Sequence, residues 1–212
     1  MSELLRLAEV MNKLRSPGGC PWDAEQTHES LIKYLLEESY EFIDTVAESD
    51  RAGMREELGD ILLQVYFHSR IAQDHPTDPF SIEDVAKIIT EKLISRHPHV
   101  FGDKKVSGSQ EVIANWEEIK AAEKGRTSAL DGVALSQPAL SLINKLLYRA
   151  EKYGINLDVP THSENSIATQ ESVGTALLAV IAWAHKNGVD PEDALRKQSK
   201  QIMREIAQQE AR

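Results

Sequence analysis

The run Ile61-Leu62-Leu63-Gln64-Val65-Tyr66-Phe67, which follows Glu57 and Asp60 on what reads as one helix, constrains the fold more than any other segment. Its side chains are apolar nearly all round, so the helix is expected inside a bundle rather than on its surface. Glu57 and Asp60, three apart, share a face of it. A carboxylate carried into such a place loses much of its solvation or stays protonated unless something compensates it.

Nearby sequence does not supply the compensation. On a helix-like stretch before a short polar break, Glu37, Glu38 and Glu41 fall within one arc at about 100° per residue. They lie beside the apolar stripe of Leu31, Leu35, Phe42, Ile43 and Val46. An ordinary salt-bridged face would place a Lys or Arg three or four residues from each acid. Only Glu37 has one, Lys33. Each like-charged pair costs about a few tenths of a kcal/mol on an exposed helix, and more when desolvated. A divalent cation removes that conflict, whereas a plain acidic face leaves it standing. All-oxygen ligands favour Mg²⁺, with Mn²⁺ as a substitute, over Zn²⁺, which prefers His and Cys.

The Glu-Glu-x-x-Glu run at Glu37 to Glu41, followed by Glu-x-x-Asp at Glu57 to Asp60, resembles the signature of the MazG family of nucleoside triphosphate pyrophosphohydrolases. Two further segments agree: Cys20-Pro21-Trp22-Asp23 near the N-terminus, and Arg96-His97-Pro98-His99-Val100-Phe101. The likeness runs from residue 1 to about residue 125. It implies an all-α enzyme that uses Mg²⁺ to split a nucleoside triphosphate into a monophosphate and pyrophosphate, with Glu38, Glu41, Glu57 and Asp60 as the metal ligands. Glu37 is left to the outer shell or to pairing with Lys33. Such residues suit phosphoryl chemistry, which asks a protein for positioning, neutralised oxygens and an activated water.

A formal charge of -10 would repel a triphosphate, so local cations are needed as well. Lys92 and Arg96 stand four apart on a helix expected from Ser81 to Arg96, started by Ser81 and Asp84 and stopped by Pro98. Sequence alone reads them as a basic last turn suited to the helix dipole; the resemblance reads them as catalytic phosphate contacts. Trp116 and Lys120, another i, i+4 pair, resemble the family's later substrate-binding element, although packing with a snorkelling lysine explains such a pair equally well. Trp22, after the turn Ser16-Pro17-Gly18-Gly19, is expected to anchor a loop over the bundle, and by resemblance to reach the base or ribose. His97 and His99 have no Cys or His cluster to join and read as loop or core residues. A P-loop motif is absent.

The second half begins differently. After Gly125 the chain is expected to pass through a linker, 126–139, into a shortened second unit, 140–212. Residues 171–185 echo residues 56–70, but Ser172 stands where Glu57 does and Thr175 where Asp60 does. Residues 155–170 form a short polar stretch containing Pro160. The expectation is therefore a MazG-like catalytic domain over 1–125 and a degenerate, non-catalytic helical unit after it, or else two amphipathic helices that match by chance.

The expected fold is all-α: a four-helix-bundle catalytic unit with its site on facing helices, and a trimmed helical second unit. One such bundle leaves apolar surface open, so a homodimer is expected. The single cysteine, Cys20, excludes an internal disulfide framework, and no signal peptide or apolar span of membrane length appears. Together these point to the cytoplasm. An acidic balance, with pI near 5.2, argues against a partner of polymeric nucleic acid. Free nucleoside triphosphates remain compatible, since a cation reverses the local field. Two other classes stand beside this one. A ferritin-like di-iron protein should carry two Glu-x-x-His motifs, and only Glu25 to His28 fits. A non-catalytic helical nucleotide-binding or regulatory protein is the remaining alternative.

Overall fold

In the computed structural model, residues 2–123, 125, 128–157 and 169–197 are described. They form helices and loops only, with no strand among the described residues. In chain order the helices are α1 (Glu3–Arg15), α2 (Pro21–Glu25), α3 (His28–Glu48), α4 (Arg51–Ala72), α5 (Ile82–Arg96), α6 (Pro98–Phe101), α7 (Ser109–Glu123), α8 (Ala139–Lys152) and α9 (Gln170–Lys186). The chain divides into two compact units, Met1–Trp116 and Glu117–Arg212. No helix of the described residues is long and apolar enough to cross a membrane.

The first unit is built around α4, which packs on α1, α3 and α5. Met11, Leu31, Tyr66 and Phe67 form the core, joined by Leu7, Leu14, Tyr34, Leu62, Ile71 and Ile82. This is the expected bundle of four long helices. Its ends follow from local chemistry. At the start of α3 the Thr27 hydroxyl accepts from the Ser30 N–H while the Ser30 side chain accepts from the Thr27 N–H. Ser81 and Asp84 make the same reciprocal cap on α5, as the sequence indicated.

The connection between α3 and α4 matters most for the site. Ser49 adopts a left-handed conformation (φ 60°) and its N–H returns to the carbonyls of Thr45 and Val46. Asp50 then caps α4 by accepting from the Ala52 N–H at 3.0 Å. Gly53 is required just beyond: a Cβ there would come within 2.7 Å of Asp50 Oδ2 and 2.8 Å of Thr45 Cγ2. Left-handed backbone is unfavourable for any residue with a Cβ, and here the tight reversal that it permits folds α3 back on α4.

One expectation needs correcting. The helix carrying Glu57 and Asp60 is not enclosed along its whole length. Gln64, Tyr66, Phe67, Ser69 and Ala72 are buried, but Leu58 is 52% exposed and Val65 38%. A single chain covers the second half of α4 with three helices and leaves part of the first half open. Leu36 on α3 and Ile88 on α5 are likewise more than half exposed.

In the second unit α8 packs against α9. Leu147, Ala150, Ile181 and Ala184 are buried there, and buried Arg149 donates to the Asp131 carbonyl at 2.7 Å. His185 Nε2 lies 3.0 Å from Glu151 Oε2, joining the two helices. Ser172 serves α9 as the third residue of its cap, with Thr169. The polar stretch around Pro160 and residues 198–212 lie outside the described residues.

Candidate functional site

The hairpin of α3 and α4 brings the acids of two sequence segments together. Glu38, Glu41 and Glu57 each offer a carboxylate oxygen, and these three atoms lie within 4.8 Å of one another. Asp60 stands one turn along α4 from Glu57 and outside that trio, yet it is the charge pressing hardest on Glu38. Loss of hydration is the first cause holding the Glu38 carboxyl above its ordinary range, followed by the charges of Asp60, Glu41, Glu57 and Glu37. Glu57 is raised in the same direction, first by desolvation, then by Glu41, Asp60 and Glu56, and by a hydrogen bond with Glu41. Shared protons of this kind are what neighbouring carboxylates adopt when no cation neutralises them. The donors are all oxygen, which fits Mg²⁺ or Mn²⁺.

The basic residues are arranged otherwise than expected. Lys33 does not pair with Glu37; its ammonium lies 4.6 Å from the centre of the Tyr34 ring, where a cation is attracted to the aromatic face. Lys92 is half-buried on α5. Arg96, expected to face phosphate in the open, is only 6% exposed, and its guanidinium lies 5.7 Å from the Trp116 ring centre. His97 meets the same ring edge-on at 4.9 Å, with its Nδ1 2.6 Å from the Leu93 carbonyl. The helical period gave the spacing of Lys92 and Arg96, but which of them turns inward depends on Trp116 of α7. Lys120 lies one turn beyond Trp116, in the second unit.

Trp22 is half exposed and stands edge-on to Tyr34 at 6.0 Å and to Phe67 at 6.5 Å. Its segment is a short helix rather than a loop, and Arg15 fastens it: Nη1 donates to the carbonyls of Asp23 and Gln26. Tyr34 is one turn before Glu38, so Trp22 rests beside the helix that carries the acids.

Two residues in the same seam escaped sequence reasoning. His28 and His68 stack with their planes 5° apart, Nδ1 to Nδ1 at 2.8 Å. Burial, then His28, holds the His68 imidazole below its ordinary range. Gln64 is 5% exposed with Oε1 buried and unpartnered. The available signal was its position, the one polar residue within the apolar run Ile61 to Phe67.

Comparison with known proteins agrees with this geometry. The model of the MazG nucleotide pyrophosphohydrolase domain matches residues 26–101, which include all five acids. The chain is 47% identical over 199 residues to an uncharacterized 26.1 kDa protein of Streptomyces cacaoi, covering 92% of this chain and 77% of that one. It is 38% identical over 220 residues to the nucleoside triphosphate pyrophosphohydrolase/pyrophosphatase MazG of Thermotoga maritima, covering 96% and 84%. Against the nucleoside triphosphate pyrophosphohydrolase of Escherichia coli K12 it is 35% identical over 233 residues, covering 99% and 88%. With relatives that similar along most of both chains, and with the paired acids of the signature assembled across α3 and α4, the chain belongs to the MazG nucleotide pyrophosphohydrolase family of hydrolases.

Proposed function

We propose that the protein hydrolyses nucleoside triphosphates to monophosphates and pyrophosphate, with Mg²⁺, or Mn²⁺ in its place, held by Glu38, Glu41, Glu57 and Asp60. The observation that carries this is the convergence of carboxylates from α3 and α4 without a paired cation in the cluster, three of them within 4.8 Å. When bound, the cation supplies neutralisation of phosphate oxygens and a lowered pKa for water. Water is then added across the anhydride joining the α- and β-phosphates. The acids with raised affinity for a proton, Glu38 and Glu57, are suited to take one from that water. Lys92 offsets phosphate charge from α5. Arg96, held on Trp116, supports the start of the substrate-binding stretch of α7 that continues to Lys120, and Trp22 stands for the nucleoside end. Glu37 remains outside the ligand set.

The same reading gives the exposed Leu36, Leu58 and Ile88 a purpose as part of a homodimer interface, and places the enzyme in the cytoplasm, cleansing the nucleotide pool. The domain from residue 1 to about 125 is the catalytic part, and the unit from 140 onward is a degenerate second copy.

The test is phosphate-resolved product analysis with each common ribo- and deoxyribonucleoside triphosphate, with Mg²⁺ and with chelator, beside Glu41→Gln. Monophosphate and pyrophosphate in equal amounts, lost with chelator and in the variant, are expected. Well-folded protein that turns over none of them would favour a binding or regulatory protein instead.

A further inference from the structure

Gln64 presents a problem that the bundle does not solve. It is 5% exposed, and its Oε1 has no hydrogen-bond partner. A buried carboxamide oxygen left without a donor destabilises a fold, so its presence calls for a guest or a function.

The helix geometry says where that oxygen lies. Glu57 faces α3, because it is hydrogen-bonded to Glu41. His68 faces α3 as well, because its Nδ1 meets His28 Nδ1 at 2.8 Å. Gln64 follows Glu57 by seven residues and precedes His68 by four, so it occupies the same stripe between them. Helical side chains lean toward the N-terminus and cover the preceding turn. For Gln64 the preceding turn is that of Asp60. The carboxamide therefore borders the acid cluster along the α3/α4 seam. His68 Nε2, one turn the other way, is also buried and unpartnered, so it does not satisfy the oxygen.

The chemistry of an orphan acceptor narrows the guest. Phosphate oxygens accept and do not donate, so Oε1 cannot serve the triphosphate directly. The donor that hydrolysis must bring to the Asp60 turn is water. We propose that Gln64 is a catalytic residue whose Oε1 accepts a hydrogen bond from the attacking water and aims it at the phosphate chain. This rests on the hydrolytic reading above. As the water's oxygen forms the new bond to phosphorus, the anhydride P–O bond breaks and its electron pair leaves on the bridging oxygen. One water proton passes to a site carboxylate. The other, held by Gln64, stays on the oxygen that it began on.

Gln64→Met keeps the volume and removes the acceptor. The decisive experiment measures its kcat and KM beside the wild-type chain on matched ribo- and deoxyribonucleotides, together with melting of both proteins in chelator without substrate. The expected result is a fall in kcat on the order of 10²-fold, with KM within about threefold, for both sugars alike, and a metal-free melting temperature equal to or above that of wild type. Lower melting with kcat retained would overturn the proposal in favour of a structural role, bridged to His68. A loss confined to KM or to one sugar or base would overturn it in favour of nucleoside recognition. Turnover absent from the wild-type chain itself would instead sink the hydrolytic reading, and this proposal with it.

Discussion

Replacing Glu38 by Gln should change the sign of its effect on stability when Mg²⁺ is added. In the metal-free chain a Glu38 oxygen has two other carboxylate oxygens within 4.8 Å. Two unit charges at that separation repel by about 0.9 kcal/mol in bulk water. The site is open enough that solvent and salt take part of this, and the shared proton on Glu57 takes more. A net stabilisation of about 1 kcal/mol remains for Glu38→Gln, or roughly 3–6 °C in melting temperature for a unit of this size. Added Mg²⁺ stabilises the wild-type chain by about 2.7 kcal/mol at a hundredfold excess over its Kd. A variant lacking one ligand gains less, so the order of melting reverses. Circular-dichroism melts at low ionic strength, in chelator and then across a Mg²⁺ titration, give both halves of the comparison. If Glu38→Gln melts lower than wild type in chelator, the cluster is not repulsive. If both proteins gain equally from Mg²⁺, Glu38 is not a ligand.

Arg15→Met keeps the aliphatic stem but loses both hydrogen bonds to the Asp23 and Gln26 carbonyls and the 3.9 Å ion pair with Asp74. A loss of about 2–3 kcal/mol is expected, with faster protease cleavage near Trp22, and unchanged cleavage there would show that Arg15 does not fasten the segment. The metal-free chain should also lose stability on acidification below about pH 6.5, the ordinary histidine value. His68 is lowered in the fold by burial and then by His28, so the unfolded chain takes up the proton first and the contribution present above that pH is lost as pH falls. Glu38 and Glu57, raised in the fold, act oppositely: they favour the folded state at low pH, and that contribution fades as pH rises through their folded values. Melting from pH 8 to pH 5 should therefore be flatter for His68→Gln than for wild type, and parallel curves would refute the assignment.

The acids were legible because helical period places them. The spacing Glu57 to Asp60 and the arc Glu37 to Glu41 define two faces, and the missing basic neighbours distinguish them from a salt-bridged surface. Capping chemistry at Ser81 and Asp84 was equally local. What the sequence hid depends on partners far along the chain. His28 meets His68 across forty positions, and no pattern within either helix announces it. Arg96 and Lys92 look alike by spacing, yet only the packing of Trp116 decides that Arg96 is buried. The apolar run of α4 promised burial along its length, but a sequence does not say how many helices one chain has available to cover it. Gln64 was visible as a letter and passed over, since one polar residue in an apolar stripe carries no sign of whether its oxygen is satisfied.

The reversal at Ser49 and Asp50 works as a ruler. Surface connections ordinarily tolerate an extra residue, but this one measures out the register in which two acidic segments meet. A residue inserted between Thr45 and Gly53 and absorbed into α4 would turn Glu57 and Asp60 by about 100° and shift them by about 1.5 Å relative to Glu38 and Glu41. The helices could remain intact and the cluster would still be dispersed. Length at that reversal is therefore as tightly specified as the identity of the acids, and an insertion there should remove cation binding while leaving the helical content unchanged.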